Sequence, residues 1–267
     1  MRFRNICFLL LSLVSLPLYA VETQDTLPPI PLQEVVATGT RTTTDPRLLP
    51  VTVNVVSEEV LTEKQQPNIL PTLTEQIPGL FITQRGVLGY GVSTGGSGGI
   101  KVRGIGGQPN TDVLVLIDGL PQYAGLYGHP IADNYQTSMA ERVEVIRGPA
   151  SLYYGSNAMG GVVNIVTRAF PVRRDSVSTR MTIGAGSHGT YQTEASNQVR
   201  HGRLTSTACA QYGRTNNHRP RMGFEQYGGY AKVGYDINSH WNTYGDVNVT
   251  HFNNSFPGSV TTPMYDL

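Results

Sequence analysis

Two glycine-rich stretches hold the residues of this sequence that are best suited to binding a ligand. Residues 84–99 read QRGVLGYGVSTGGSGG and residues 121–134 read PQYAGLYGHPIADN, and neither has a helix or strand pattern. Loops on a rigid scaffold are where binding residues collect. The charged or aromatic candidates in them are Arg85, Tyr90, Tyr123, Tyr127 and His129. Because His and Tyr are common iron ligands, His129 beside the two tyrosines suggests haem or a ferric chelate as one hypothesis.

Catalytic motifs are weak in this sequence. Gly95 to Gly99 formally matches G-x-S-x-G, but a nucleophile elbow needs a strand before the serine and a helix after it, and both flanks here are glycine-rich. We find no P-loop, no HExxH and no complete dinucleotide fingerprint, and the six histidines are scattered. We therefore expect no enzyme activity, no cofactor and no resident metal.

The composition favours a turn-rich β protein. The 267 residues include 30 glycines and 17 prolines, only 15% are charged, and the formal net charge is +1. There is no basic stripe along the sequence. A nucleic-acid partner is therefore not expected.

Residues 141–167, ERVEVIRGPASLYYGSNAMGGVVNIVT, predict two strands joined by a glycine-rich connection. Gly148-Pro149 ends the first strand, since proline cannot donate a hydrogen bond to a ladder. Gly160-Gly161 permits a close backbone approach. The β-branched residues 162–167 predict the second strand. We expect this stretch to close the folded domain that precedes it.

Upstream of this stretch, helix and strand signals are mixed. Residues 51–56 alternate as a strand. Ser57 predicts the start of a helix and Pro67 its end, and Thr72 predicts the start of a second short helix. We expect an α+β domain over residues 47–170, which is long enough for one hydrophobic core.

Three motifs resemble the plug domain of TonB-dependent outer-membrane receptors. They are Ile100-Lys101-Val102-Arg103-Gly104, Val115-Leu116-Ile117-Asp118-Gly119 and RVEVIRGPASLYYGSNAMGGVVNIVTR, in the order found in that family. The resemblance implies that the loops at 84–99 and 121–134 point outward and meet the substrate. The five side chains named above are therefore candidates for substrate binding.

The start of the chain is typical of an exported protein. Residues 1–20 have a positive end and an apolar run too short for a transmembrane helix, which needs ~20 residues, and they predict a signal peptide cleaved near Ala20. The proline-broken segment 21–46 contains a β-prone island that can add as a strand to another protein. The island consists of Glu34, Val35, Val36, Ala37 and Thr38. The resemblance implies that it is the TonB box, which the periplasmic partner TonB grips; the alternative is an ordinary strand of the plug.

From Val177 onward the sequence alternates with period two. The alternating segments are 177–185, 191–199, 204–212, 227–235 and 241–251. Each is about nine to eleven residues long, which is the length that a tilted strand needs to cross a bilayer. One face is mildly apolar and the other is polar, and aromatic residues fall at the strand ends, as in the girdles of membrane barrels. We therefore expect residues 171–267 to be the first strands of an antiparallel transmembrane β-barrel.

Five strands are too few to enclose a domain of this size. Plugged barrels of the resembled family have about 22 strands, so we expect an N-terminal fragment or a truncated reading frame. Arg103 and Arg147 resemble family arginines that pair with glutamates on the barrel wall and hold the plug. Since the strands that carry those glutamates would follow residue 267, we expect neither arginine to show its family partner.

The hypothesis that follows is a TonB-dependent outer-membrane receptor for active uptake of a scarce metal complex. A ferric siderophore or haem is favoured, and cobalamin or copper is less so. The expected partners are TonB with its inner-membrane energising complex, the extracellular chelate and outer-membrane lipid. The alternative is a passive barrel or surface-adhesion protein without energy coupling, which would need neither residues 34–38 nor a plug.

Overall fold

The computed structural model describes residues 51–91, 97–107, 112–122, 131–168, 175–238, 241–255 and 257. The predicted signal peptide and TonB box lie outside these residues, as do the candidates Tyr123, Tyr127 and His129. None of the helices in the described part of the chain has the length and apolar composition needed to span a bilayer.

Most of the described residues belong to strands. The strands are β1 (Val53–Val56), β2 (Leu80–Ile82), β3 (Ile100–Val102), β4 (Ile105–Gly107), β5 (Val113–Ile117), β6 (Leu120–Pro121), β7 (Ala140–Arg147), β8 (Gly161–Thr167), β9 (Ser176–Gly186), β10 (Thr190–His201), β11 (Leu204–Thr215), β12 (Phe224–Asp236) and β13 (Asn242–Asn254). The α-helices are α1 (Glu58–Lys64), α2 (Ile69–Gln76) and α3 (Ser151–Tyr154), and 3-10 turns lie at Ala132–Asn134, Thr137–Met139 and Ser156–Ala158. We call the described residues from 51 to 168 the plug, and β9 to β13 the wall.

The first two helices show where local signals succeed and fail. Helix α1 follows Ser57, as predicted. The prediction that Thr72 starts the second helix was wrong, because α2 begins after Asn68, whose side-chain oxygen accepts the backbone N–H of Leu70 at 2.9 Å. Pro71 lies in the first turn of α2, where a missing N–H leaves no helical hydrogen bond unmade. Helix α2 therefore accommodates Pro71, although the proline suggested a helix boundary in the sequence.

The plug is built on a mixed sheet with the strand order β1-β7-β8-β5-β6. Strands β5 and β8 pair in parallel, and the other neighbours are antiparallel. All five residues of β5 are buried, which fits a central strand covered on both faces. A second, three-stranded sheet has the order β2-β3-β4. The predicted α+β architecture is therefore confirmed.

Two of the motifs noted in the sequence end in the same kind of tight turn. Arg103 and Gly104 have φ values of 51° and 85° between β3 and β4, and Asp118 and Gly119 have 48° and 81° between β5 and β6. Two successive residues with positive φ form the turn that matches the twist of a two-residue hairpin, and glycine adopts this conformation at little cost. The turn geometry explains why each motif contains a glycine. It also sets the backbone conformation of Arg103 and Asp118, which precede the two glycines.

The wall is an antiparallel meander with the order β9-β10-β11-β12-β13. The predicted alternation is confirmed: Val177, Met181 and Ile183 of β9 are exposed on one face, whereas Thr207, Cys209 and Gln211 of β11 are buried against the plug on the other. Because β11 continues to Thr215 and β12 begins at Phe224, the connection between the alternating segments 204–212 and 227–235 is shorter than the sequence suggested and covers only 216–223.

The outward face of the wall carries aromatic side chains at both ends of the strands. We call the end with connections 187–189 and 216–223 the loop end, and the end with connections 202–203 and 237–241 the turn end. At the loop end, a row runs from Tyr191 through Tyr212 and Tyr227 to His251, with ring centroids 5.0 to 6.5 Å apart. Exposed Tyr235 and Trp241 lie at the turn end. This arrangement is the one predicted for two aromatic girdles.

Candidate functional site

The plug is fastened to the wall at the turn end by a cluster of four residues around the carboxylate of Asp118. The Nζ of Lys232, on β12, donates to Asp118 Oδ2 at 2.6 Å and to Thr167 Oγ1 at 2.9 Å. Asp118 also accepts the backbone N–H and the hydroxyl of Thr167 at 2.8 and 2.6 Å. The ring of Tyr244, on β13, lies 4.5 Å from the same Nζ. The carboxylate therefore joins the β5–β6 turn, the end of β8 and the wall.

A second ionic contact joins helix α1 to the wall and to Arg168, the last residue of the plug. Glu58 Oε1 lies 3.0 Å from the guanidinium of Arg180 on β9 and 3.5 Å from that of Arg168. Arg168 is buried and also donates to the Ala140 carbonyl oxygen at 3.2 Å. Arg168 follows β8 directly, so this cluster and the Asp118 cluster hold the same end of the plug.

Between these clusters and the loop end, hydrogen bonds also join the plug to the wall. The amide of Gln136 donates to Thr250 Oγ1 at 3.2 Å, and the amide of Gln226 donates to the Asp133 carbonyl oxygen at 2.7 Å. The thiol of Cys209, which is free and 6% exposed, donates to the Ser138 carbonyl oxygen at 3.4 Å. The wall thus presents polar side chains to the plug, as expected for the inner face of a membrane barrel.

At the loop end, residues 216–223 of the wall contact the plug loop 84–91 through hydrogen bonds. Asn217 Oδ1 accepts the N–H of Val87 at 2.5 Å, and its Nδ2 donates to the carbonyl oxygens of Leu88 at 3.3 Å and Met222 at 2.7 Å. Gly89 packs so closely on Phe224 that a Cβ would overlap its ring. Residues 84–91 and 216–223 therefore form one continuous surface.

Asp133 connects the two ligand-binding stretches predicted from the sequence. Its carboxylate is 2% exposed and accepts the N–H groups of Tyr90 at 3.0 Å and Gly91 at 2.7 Å. Burial raises the pKa of the Asp133 carboxyl above its ordinary value of 3.8, and the two N–H groups oppose this shift. Because the proton is held more tightly in the folded state, this group's contribution to stability falls as the pH rises from its ordinary pKa through its raised pKa.

Asp133→Asn is expected to loosen residues 84–91. The amide offers one oxygen where the carboxylate offers two, so the N–H of Tyr90 or of Gly91 loses its acceptor, at a cost of about 1–3 kcal/mol. Hydrogen exchange at the amide that loses its acceptor should become roughly tenfold faster or more, since 1.4 kcal/mol corresponds to tenfold. The variant should also lose the fall in stability with rising pH described above.

Asp175→Asn is the matched control for this change. Asp175 is exposed at the turn end and accepts the N–H of Gly202 at 2.6 Å, so its substitution should leave exchange at Tyr90 and Gly91 unchanged. Equal exchange rates in wild type and Asp133→Asn would show that this carboxylate does not hold the loop.

Arg85 and Tyr90, the two candidate substrate-binding residues that the structure describes, differ in their exposure to solvent. Arg85 is exposed on the plug loop 84–91. Tyr90 is 3% exposed and belongs to the hydrophobic core, so a ligand reaches its ring only if the loop moves. Ser97, the centre of the G-x-S-x-G match, is buried and donates to the Tyr90 carbonyl oxygen at 3.3 Å. In the described residues, no three His, Cys, Asp or Glu side chains converge to bind a metal.

Arg103 and Arg147 converge on one segment of the plug. The N–H of Arg103 donates to the Gly79 carbonyl oxygen at 2.7 Å, and the guanidinium of Arg147 donates to the Pro78 carbonyl oxygen at 2.9 Å. The ionic plug–wall contacts of the described residues are made instead by Glu58 and Asp118. A role for the two arginines in holding the plug stays a prediction.

The plug is hydrogen-bonded to the polar face of the wall, and the wall strands carry aromatic residues at both ends. This arrangement is typical of the plugged-barrel class of fold. Residues 45–162 match the sequence model of the TonB-dependent receptor plug domain. Residues 45–162 therefore form a TonB-dependent receptor plug domain, and the strands β9 to β13 that follow share the fold of the first strands of such receptors.

Solved structures of outer-membrane receptors share this fold. The alcaligin receptor FauA from Bordetella pertussis matches with 21% identity and a TM-score of 0.65, over 82% of this chain and 35% of that one. The pyoverdine receptor FpvA from Pseudomonas aeruginosa PAO1, bound to pyoverdine, matches with 19% identity and a TM-score of 0.62, over 81% and 30%. The copper transporter OprC matches with 14% identity and a TM-score of 0.61, over 78% and 31%. The chain thus spans about a third of the length of these proteins.

Several contact residues were missed in the sequence, although weak signals marked some of them. Asp118 was recognised as part of a motif but was given no role. Lys232 is the only basic residue of β12 and lies on its polar face, which marks it as a candidate for a buried ion pair. Asn217 and Asp133 had no comparable signal, because their partners are backbone groups of a distant loop.

Proposed function

We propose that this chain acts in an energised outer-membrane receptor that imports a scarce metal complex. A ferric siderophore or haem is the favoured substrate, ahead of cobalamin or copper. The observation that carries the proposal is the plug held by polar contacts against the inner face of the wall. The similar receptors named for pyoverdine and alcaligin support a ferric chelate, and the similar copper transporter keeps copper as an alternative.

The proposed mechanism assigns separate roles to the two ends of the plug. The loop end faces the outside, where Arg85 and the loops predicted to carry Tyr123, Tyr127 and His129 meet the substrate. The turn end faces the periplasm. TonB adds a strand to residues 34–38 and pulls, using the proton gradient of the inner membrane, and the contacts of Asp118 and Glu58 are among those that must break for a path to open.

A proline substitution in the predicted TonB box tests the energy coupling. A peptide of residues 27–45 is expected to bind the periplasmic domain of TonB from the same bacterium in calorimetry. Val35→Pro removes a backbone donor and should weaken the binding at least about tenfold, because strand addition depends on main-chain hydrogen bonds.

Thr43→Pro, outside the β-prone island, is the matched control and should bind as the unsubstituted peptide does. If neither the unsubstituted nor the control peptide binds TonB, residues 34–38 revert to an ordinary strand and a passive barrel is favoured. Equal binding by all three peptides would exclude strand addition at Val35 as the basis of the grip.

A further inference from the structure

Three cavities lie along the seam, the surface where the plug rests on the inner face of the wall. One of about 20 Å³ is at the loop end, between Tyr90 of the plug and Phe224 of the wall. One of about 40 Å³ lies between helix α1 and the strands β9 to β11. The third, of about 280 Å³, lies at the turn end beside Lys232 and Tyr244. The first has room for roughly one water molecule and the second for roughly three.

Strand β11 passes all three cavities in order. Thr205 and Thr207 line the turn-end cavity, Gln211 lines the middle one and Gly213 lines the loop-end one. These residues share the inner face of the strand, and the distance from Thr205 to Gly213 is about 27 Å at the usual rise of a strand. The cavities therefore follow the seam from one end of the wall to the other.

Gln211 separates the loop-end cavity from the middle one, since Gln211 and Pro67 line both. The side chain of Gln211 is buried, and among the described residues its Oε1 has no hydrogen-bond partner. Rotation of the side chain therefore breaks no hydrogen bond at that oxygen, whereas the ring of Pro67 is fixed to the backbone. Gln211 is thus the part of this constriction that can swing aside.

Arg168 separates the middle cavity from the turn-end cavity, because it lines both. Its guanidinium lies 3.2 Å from the Ala140 carbonyl oxygen, 3.4 Å from Ser196 Oγ and 3.5 Å from Glu58 Oε1. All three contacts are longer than the roughly 2.8 Å of a strong charge-assisted hydrogen bond. Arg168 is therefore held by several weak contacts and forms a second movable constriction.

The closed seam leaves buried polar atoms without partners. Within the described part of the chain, these atoms include Thr137 Oγ1 and Ser138 Oγ of the plug and Arg200 Nε, Gln211 Oε1 and Tyr230 OH of the wall. Such groups are costly to bury, and water or a polar solute would satisfy them when the seam opens. The interior of the plug offers no such gain, because its central strand β5 is apolar and fully buried.

We propose that the imported complex crosses the receptor along this seam, passes the two gates Gln211 and Arg168, and leaves through the turn-end cavity. Pulling by TonB then has to shift the plug far enough from the wall to join the three cavities, while the core of the plug stays folded. The hydroxyls, amides and charges of both signs that line the route suit a polar, hydrated complex. The inference rests on the proposed function and adds the route to it.

Removal of the two gate side chains should join the cavities without substrate or TonB. The complete receptor that contains this chain is inserted into planar bilayers, and the K⁺ current is measured for wild type and for the double variant Gln211→Ala, Arg168→Ala. We expect the current to rise severalfold, because the passage of an ion depends on the width and polarity of the narrowest points.

The double variant Gln136→Ala, Arg180→Ala is the matched control. Gln136 also bonds across the seam and Arg180 also pairs with Glu58, but Gln136 lines none of these three cavities and Arg180 lines the middle one alone. The control current should stay at the wild-type level, and equal currents in the two double variants would overturn the gates. Passage of vancomycin, which is far larger than the two smaller cavities, would assign the current to loss of the plug and would also count against them.

A label in the turn-end cavity tests where the route ends. Asn242 is exposed and lines this cavity, whereas exposed Arg203 lies outside it. Asn242→Cys or Arg203→Cys is combined with the gate variant, with Cys209→Ser to remove the native thiol. Biotin maleimide should abolish the current of the Asn242→Cys protein and leave that of the Arg203→Cys protein unchanged. A current that persists after Asn242→Cys is labelled would overturn the route.

The same label distinguishes the route from the proposed function. Cells with TonB and a receptor whose gates are intact receive radioiron as a ferric tris-catecholate or tris-hydroxamate chelate. Labelling of Asn242→Cys should abolish uptake while binding at the cell surface continues. Uptake that continues after labelling overturns the route and leaves the proposed function standing. A label-sensitive current through the gate variant, without TonB-dependent uptake of either chelate by unlabelled cells, supports the route and contradicts energised import of a ferric chelate.

Discussion

Asp118→Asn is expected to release the turn end of the plug from the wall. The side chains of Asp118 and Lys232 are only 17% and 20% exposed, and removing one partner of a buried ion pair leaves the other charge uncompensated. We expect a cost of about 2–3 kcal/mol, somewhat below the value for fully buried pairs. The amide also loses one of the two hydrogen bonds to Thr167, so Asp118→Asn should cost more than Lys232→Met, which leaves both in place.

Cys209 provides a natural readout for this change. Its thiol is buried under Ser138 of the plug, so an alkylating reagent reaches it when the plug leaves the wall. The Asp118→Asn variant should be labelled at Cys209 roughly 30-fold to 100-fold faster, since each 1.4 kcal/mol is worth tenfold in the open population. Mass spectrometry of the peptide that contains Cys209 gives the rate directly.

Lys64→Met is the control for removing a charge elsewhere. Lys64 and Glu75 form an ion pair whose side chains are 39% and 52% exposed, and pairs of this kind contribute little to stability. The labelling rate of Cys209 should therefore stay at the wild-type value. An unchanged rate in Asp118→Asn as well would show that this cluster does not hold the plug.

Gly161→Ala is expected to have the largest effect on the plug itself. Gly161 has φ +155° and lies opposite Arg147 in the β7–β8 ladder, where a Cβ would approach the Ile146 carbonyl oxygen closer than 3.0 Å. Because the obstacle is the backbone of the neighbouring strand, the Gly161 end of the β7–β8 ladder must open to relieve it. We expect a loss of more than about 4 kcal/mol, seen as rapid proteolysis and hydrogen exchange across both strands.

Gly148→Ala is the matched control, because it changes the backbone preference without creating a steric overlap. Gly148 also has positive φ, at +130°, but a Cβ there would meet nothing within 4 Å. Only the backbone preference is lost, which costs roughly 1–2 kcal/mol. If the two variants were equally stable, contact with the Ile146 oxygen would not be the reason for a glycine at 161.

Features that depend on a local period could be predicted from the sequence. The wall strands alternate between mildly apolar and polar residues, so their two faces followed from the residue order, and the exposed Val177 and buried Thr207 agree with it. The start of α2 was missed because Pro71 suggests a boundary, whereas the first turn of a helix tolerates proline. Propensity alone does not tell which turn of a helix a proline occupies.

Contacts between distant parts of the chain could not be predicted in the same way. Lys232 and Asp118 are 114 positions apart, and their meeting depends on how the plug rests against the wall. The resemblance directed attention to Arg103 and Arg147, while the described contacts are made by Asp118 and Glu58. A motif identifies a turn, but only the packed structure shows what the turn touches.

The polar lining of the wall also determines how plug binding responds to temperature. Gln136, Cys209 and Gln226 contact their partners through hydrogen bonds, and exposing polar surface lowers the heat capacity whereas exposing apolar surface raises it. Separation of plug and wall should therefore show a heat-capacity change much smaller than unfolding of the plug core. Its free energy would vary almost linearly with temperature, so the grip on the plug would lack the curvature through which a large heat-capacity change weakens an apolar interface in the cold.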